Sequence, residues 1–177
     1  MFCSNHIAAR DAVIIAAACE REIKFLAKKE LFSVPIIGRI IKALGAVKLD
    51  RGGADVGAIR TSINLIKSGF ALSVFPQGHR YPGENPKDTP KKNGAAMICY
   101  HAMCDVVPVC IKVRGFKYGI FKKTEVIFGE PIPYEELGMK NGGSQEYKAA
   151  TDKIFERIVS LGGYGSLPSP NETENAR

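Results

Sequence analysis

A chain of 177 residues that is 45% hydrophobic and 24% charged is long enough to bury one sizeable core, which predicts a single globular domain. Its net charge of +7 favours anionic partners without choosing among nucleic acid, a phosphorylated metabolite and an acidic membrane surface. Five cysteines without a Cys-x-x-Cys pair argue against a disulfide framework or zinc knuckle and read as reduced, mostly buried thiols, while the longest apolar run, Ala12 to Ala18, is too short to span a bilayer.

No signal peptide is expected from the residues ahead of Asn5, and the pattern from Ala12 to Cys19, entered through Arg10-Asp11, predicts a helix with an acid in its first turn, where the helix dipole favours one. Ile23 to Ala27 and Ala46 to Leu49 predict strands. Between them, Phe32 to Leu44 is apolar with Arg39 and Lys42 at helical spacing, and at least half of it should be helix. Ile36, Ile37, Ile40, Ile41 and Leu44 there suit either ordinary core or an amphipathic face lying in a membrane interface. Val56, Ile59, Ile63 and Ile66 give Ala54 to Lys67 a helical period, with Gly69 as its stop. Ala71 to Phe75 predicts a buried strand, and the polar, proline-rich Tyr81 to Asn93 an exposed loop able to form a rim or lid. A helix near Gly94 to Met103, strands at Val106 to Val113 and Thr124 to Phe128, and a helix near Gln145 to Leu161 follow. This alternation predicts an α/β fold, one domain over residues 1–165 with a mixed, mostly parallel sheet flanked by helices. The polar tail, 166–177, is expected to be disordered.

The first chemical candidate is Asn5-His6-Ile7-Ala8-Ala9-Arg10-Asp11. On one helix, residues five apart are separated by about 140°, so His6 and Asp11 can meet only across a loop-to-helix junction. Cys3 and Ser4 can close a short strand just before it, and Asp11 opens the helix. A carboxylate on one ring nitrogen fixes the tautomer and leaves the other nitrogen to take a proton from a hydroxyl, making His6 a general base and Asp11 its orienter. The competing reading makes Ser4 or Asn5 a cap and His6 a solvated loop residue. Downstream, the strand Ala71 to Phe75 runs into Pro76-Gln77-Gly78-His79-Arg80, where α/β sheets collect ligands. Gly78 lets a backbone N–H approach an anion, and Arg80 offers a planar fork for phosphate; Gly45 to Arg51 ends a strand with another arginine. Together these suggest a pocket for a phosphorylated hydroxyl compound. A hydrolase with Cys3 or Ser4 as nucleophile is disfavoured because no G-x-S-x-G elbow is present. A basic nucleic-acid-binding module is the non-enzymatic alternative, but Tyr81, Tyr100, Phe116 and Tyr118 are scattered and form no stacking array. A metal site from His6, Asp11, His79 and His101 lacks ligand spacing.

Four stretches in order resemble the motifs of the glycerolipid acyltransferases, specifically the 1-acyl-glycerol-3-phosphate acyltransferases. His6 and Asp11 match N-H-x-x-x-x-D, Gly45 to Arg51 looks like the G-x-x-x-x-x-R strand, Phe75 to Arg80 is similar to F-P-E-G-T-R, and Val107 to Ile111 resembles the V-P-hydrophobic motif. Ala27 to Leu31 and Pro35 to Gly38 also match the family's usual run. The resemblance implies a glycerol-3-phosphate acyltransferase-like fold and direct transfer of a fatty acyl group from acyl-CoA or acyl-ACP to lysophosphatidate, giving phosphatidate; another lysolipid is the alternative acceptor. It implies His6 as base, Asp11 as orienter, and Arg51, Arg80, Gly78 and Lys28 on the acceptor's phosphate, with no metal or resident cofactor. It also implies a cytoplasmic protein peripheral on the inner face of an anionic membrane, with acyl carrier protein as a possible partner. Gln77 and His79 depart from the family's Glu and Thr. Both remain candidate substrate contacts: Gln77 keeps hydrogen-bonding capacity but lacks the charge that orienting Arg80 would use, and His79 is a second acid/base or phosphate candidate. The family's apolar N-terminal helices have no counterpart ahead of Asn5, which reads as a compact version or a truncated start.

Overall fold

Strands such as Val107-Pro108-Val109-Cys110-Ile111 carry apolar side chains on both faces, the pattern of strands covered from two sides. The structure, a computed structural model, describes residues 1–49 and 54–164; Arg51 and the tail 166–177 lie outside them. The elements are β1 (Phe2–Ser4), α1 (Asp11–Ala18), β2 (Ile23–Lys28), α2 (Ile37–Ala43), β3 (Ala46–Leu49), α3 (Ala54–Lys67), β4 (Ala71–Val74), α4 (Gly94–Ala102), β5 (Val107–Val113), β6 (Thr124–Phe128) and α5 (Ser144–Leu161). They match the expected α/β architecture, with boundaries within a residue or two.

The six strands lie in the order β3-β2-β4-β1-β5-β6, the first five parallel and β6 antiparallel to β5. Cys3 pairs with Val74 on one side and Pro108 on the other, so the short β1 is clasped at the centre. Because β1, β2, β4 and β5 run the same way, the segments after Ser4, Lys28, Val74 and Val113 all emerge on one edge. Pro108 is tolerated in β5 because Val107 N donates to Met1 O, which turns the next nitrogen toward β6, where the ladder has already ended at Val109–Phe128.

Side chains alternate along β5 between two cores. Val109, Ile111 and Val113 pack with Ile7, Ile15, Ile23 and Ala71 beneath α1. Cys3 and Cys110 face the other way, against Ala95 and Cys99 of α4 and the Ala150, Ile154, Ile158 stripe of α5. That i, i+4, i+8 stripe is what makes the charged α5 a helix with a buried seam.

The segment expected to be half helical divides. A 3-10 turn takes Lys29–Ser33, and α2 holds only seven residues. Its apolar residues divide too, with Ile41 buried and Ile36, Ile37 and Ile40 exposed. Gly38 lies so close to the preceding turn that an added Cβ would sit 2.3 Å from the Phe32 carbonyl oxygen, a backbone clash no rotamer can relieve. The polar loop 81–93 is more built-in than expected, with Pro86 and Thr89 buried and the Asn85 side chain accepting from Lys87 N at 3.2 Å. Gly38→Ala should push α2 away from the Phe32 turn and cost about 1–3 kcal/mol, seen as a lower urea midpoint in equilibrium unfolding.

Candidate active site

At the end of β1 the chain must leave the sheet without orphaning the neighbouring strand, and Asn5 makes this possible. Its Nδ2 donates to Ile111 O at 2.9 Å and its Oδ1 accepts from Ile111 N at 2.8 Å, so a side-chain amide replaces the missing peptide opposite β5. The main chain is then free to turn, and His6 projects from the edge.

His6 Nδ1 lies 2.8 Å from Asp11 Oδ2, with Asp11 opening α1 as the junction required. The same Oδ2 accepts Ile7 N at 2.5 Å and Ala8 N at 2.8 Å, and Oδ1 accepts the Tyr118 hydroxyl at 2.7 Å. Asp11 is fully buried. A carboxylate in this setting accepts only, so Nδ1 carries the proton and Nε2 is left as the basic nitrogen. The His6 ring stacks on Phe75, 3.9 Å between centroids and 14° from parallel, which fixes its plane. Burial, reinforced by the Asp11 carboxylate, pushes the Tyr118 phenol well above its ordinary pKa, so it remains a donor; Arg10 caps its ring with the guanidinium 3.8 Å from the centroid.

The segment after β4 holds the His6 backbone from the other side. Gln77 Oε1 accepts from His6 N at 2.5 Å, and Tyr81 N donates to His6 O at 2.9 Å. Gln77 Nε2 donates to the Thr89 hydroxyl at 2.7 Å, which donates in turn to Pro86 O at 2.6 Å. Gln77 is thus 2% exposed and holds the His6 backbone, which corrects its expected place among the substrate contacts. Because the Thr89 proton goes to Pro86, an amide supplies the complementary donor that a carboxylate lacks.

The structure also alters the expected role of Gly78. Its N–H donates to Phe75 O at 3.0 Å and is not offered to an anion. What glycine supplies is the backbone turn at φ +68°, with the Lys92 stem lying where a Cβ would be. His6, Lys28, His79, Arg80 and Lys92 line one cavity of about 640 Å³, floored by Phe25, Ala27 and Phe75. A second cavity of about 510 Å³, lined by Ile7, Ala8, Arg10, Lys117 and Tyr118, shares Ala9 and Arg80 with the first. Arg51 lies outside the described residues, and among those described no cluster of three His, Cys, Asp or Glu side chains forms a metal site.

The hydrolase alternative finds no nucleophile here. Cys3 is fully buried, its thiol pushed up to about 12 by burial, and the equally buried Ser4 hydroxyl donates to Asn5 O at 3.1 Å. All five cysteines are free thiols, and Cys3, Cys99 and Cys110 are buried. Sequence reasoning missed the positioning roles of Asn5 and Tyr118 and the presence of Lys92 in the cavity. Asn5 was marked only by adjacency to His6, Lys92 only as part of a lysine pair, and Tyr118, 107 residues from its partner, by nothing local.

Residues 1–112 match a family model described as Acyltransferase. The chain is 32% identical over 143 residues to the 1-acyl-sn-glycerol-3-phosphate acyltransferase of Bacillus subtilis, covering 79% of this chain and 69% of that protein. It is 32% identical over 153 residues to the protein of the same name from Streptococcus pneumoniae, covering 84% of this chain and 56% of that one. The crystal structure of the 1-acyl-sn-glycerophosphate acyltransferase PlsC from Thermotoga maritima aligns with a TM-score of 0.64 over 94% of this chain and 67% of its own, at 24% identity, a likeness of fold.

Substitutions at two positions test the supports of His6 and Asp11. Gln77→Leu removes the acceptor for a part-buried N–H and should cost about 1–3 kcal/mol, read by urea unfolding, with faster amide exchange at His6. Gln77→Glu keeps the acceptor and lets Thr89 rotate its hydroxyl toward it, so most of that loss should be recovered. Tyr118→Phe leaves one oxygen of a fully buried carboxylate without its donor and should destabilise by about 1–3 kcal/mol without changing the far-ultraviolet circular dichroism.

Proposed function

The chain belongs to the acyltransferase family, and from that membership we propose that it transfers a fatty acyl group from an acyl thioester, on coenzyme A or acyl carrier protein, to the free hydroxyl of 1-acyl-glycerol-3-phosphate. The observation that carries this reading is the Asp11-held His6, which lines a cavity together with Lys28, Arg80 and Lys92. A base beside several cations suits an acceptor that carries both a hydroxyl and a phosphate.

In the reaction, His6 Nε2 takes the hydroxyl proton as the oxygen attacks the thioester carbonyl. The C–O bond forms, the tetrahedral intermediate collapses with loss of the C–S bond, and the thiolate leaves with the proton carried by His6. The ester and free thiol are the products, and no acyl-enzyme forms. Asp11 stabilises the transient imidazolium and holds the ring in one tautomer. Arg80, Lys28, Lys92 and Arg51 bind the acceptor phosphate, and His79 is a further contact at the same rim. Two substrates must meet at His6, which lines the larger cavity, and the second cavity adjoins it through Ala9 and Arg80. The acceptor is a bilayer lipid, so the enzyme works peripherally on the inner face of the membrane; no helix among the described residues is long and apolar enough to cross one.

The test is thiol release from acyl-CoA, and separately from acyl-ACP, with and without lysophosphatidate. Release should require the acceptor. His6→Ala should lower kcat/KM by about 10³-fold and Asp11→Asn by about 10²-fold, with folding of each checked by circular dichroism. Retention of most of the rate by His6→Ala, or equal release without acceptor, would overturn the mechanism.

A further inference from the structure

The sheet edge that carries His6 also carries the most exposed apolar side chains of the described residues. In the loop between β5 and β6, Ile120 is 95% exposed and Phe121 99%, two adjacent large side chains almost wholly in water. The root of that loop is fixed. Phe116 O accepts Gly83 N at 2.8 Å, the Phe116 ring meets Tyr164 edge-on at 5.0 Å, and the Tyr118 hydroxyl donates to Asp11. Only the tip stands clear of the fold.

A second apolar projection follows β2. Val34, Ile36, Ile37 and Ile40 are all exposed, Ile36 to 69%, while Ile41 ties the same helix to the core. Ile36 sits at φ +70°, an unfavourable conformation for a β-branched residue, held by Ile37 N donating to Pro35 O at 2.8 Å. Since β2 and β5 are parallel and flank β4 and β1 in the sheet, the two projections leave the same edge on either side of His6.

Cations fringe both. Lys117, Lys122 and Lys123 flank the Ile120-Phe121 tip in sequence, with Lys122 Nζ donating to Arg114 O at 2.9 Å, and Arg39, Lys42 and Lys48 line a shallow cavity beside α2. Lys123 pairs with Glu125 at 2.9 Å yet keeps 83% of its side chain exposed.

We propose that this edge docks on an anionic bilayer, with Ile120 and Phe121 as one apolar prong, Ile36, Ile37 and Ile40 as the other, and the flanking lysines and arginines on the headgroups. Apolar tips with a basic fringe are the chemistry of an interfacial anchor. An acidic protein partner answers the charge but not two separate apolar prongs, and a second copy of this chain answers the prongs but, itself basic, repels the fringe. Docking rests on the reading that the acceptor is a membrane lipid, and it places the His6 cavity between the prongs.

The experiment is cosedimentation of the protein with vesicles of phosphatidylcholine alone or mixed with phosphatidylglycerol. Wild type should bind the anionic vesicles, less so as salt rises. The pair Ile120→Ser/Phe121→Ser should weaken binding by about tenfold or more, and Ile36→Ser/Ile37→Ser should do likewise. His6→Ala should bind as wild type does. With monodisperse short-chain lysophosphatidate the Ile120→Ser/Phe121→Ser protein should keep wild-type turnover, and lose it only when the acceptor is embedded in vesicles. Undiminished vesicle binding by both serine pairs, absence of binding by wild type, or a dimer that the serine substitutions dissolve would overturn docking. Vesicle binding that depends on the tip, together with no transfer to lysophosphatidate, would leave docking standing and remove the proposed acceptor instead.

Discussion

A carboxylate withdrawn from water must find its hydrogen bonds inside the protein, and Asp11 finds four. Two come from the backbone of the turn it closes, one from the His6 ring and one from Tyr118. The backbone donors force residues 6–8 to curl over the start of α1, which is why His6 and Asp11 meet although their spacing would separate them on a continuous helix. The Tyr118 hydroxyl ties the same carboxylate to the segment after β5. A single buried charge thereby joins the first turn of the chain to a loop more than a hundred residues away.

The rest of the site is arranged to keep that turn in place. Asn5 completes the pairing with β5 that β1 abandons, and Gln77 and Tyr81 hold the two backbone groups of His6 from the β4 side. The base is consequently secured by both neighbours of β1, and parallel strand order brings Lys28 and Arg80 to the same edge. The arrangement follows a general property of α/β sheets, in which segments from several parallel strands converge beyond their carboxyl ends.

The fold was largely legible because its signals are periodic and local. The alternation along β5, the helical period of α3 and the stripe of α5 each specify an element without reference to the rest of the chain. For His6 and Asp11, the junction between loop and helix showed only that a base and an orienter could meet, and the resemblance to four ordered motifs singled them out. What stayed hidden depends on hydrogen bonds between distant segments. Whether the Gly78 N–H is free is decided by Phe75, and whether Gln77 touches substrate is decided by Thr89 and the His6 backbone. The division of Ile36 to Leu44 between core and surface was equally out of reach, since Gly38 lets the helix approach the Phe32 turn at an angle no periodicity encodes.

The amide of Asn5 has a consequence in time as well as space. Hydrogen bonds at the centre of a parallel sheet are among the last to open, because exposing them requires strands on both sides to part. By joining that set through Ile111, Asn5 ties the start of the His6 turn to the centre of the sheet, while Ile120 and Phe121 stand at an exposed loop tip. Such a tip can fluctuate many times during the life of one folded protein while the pairing of His6 with Asp11 stays unchanged.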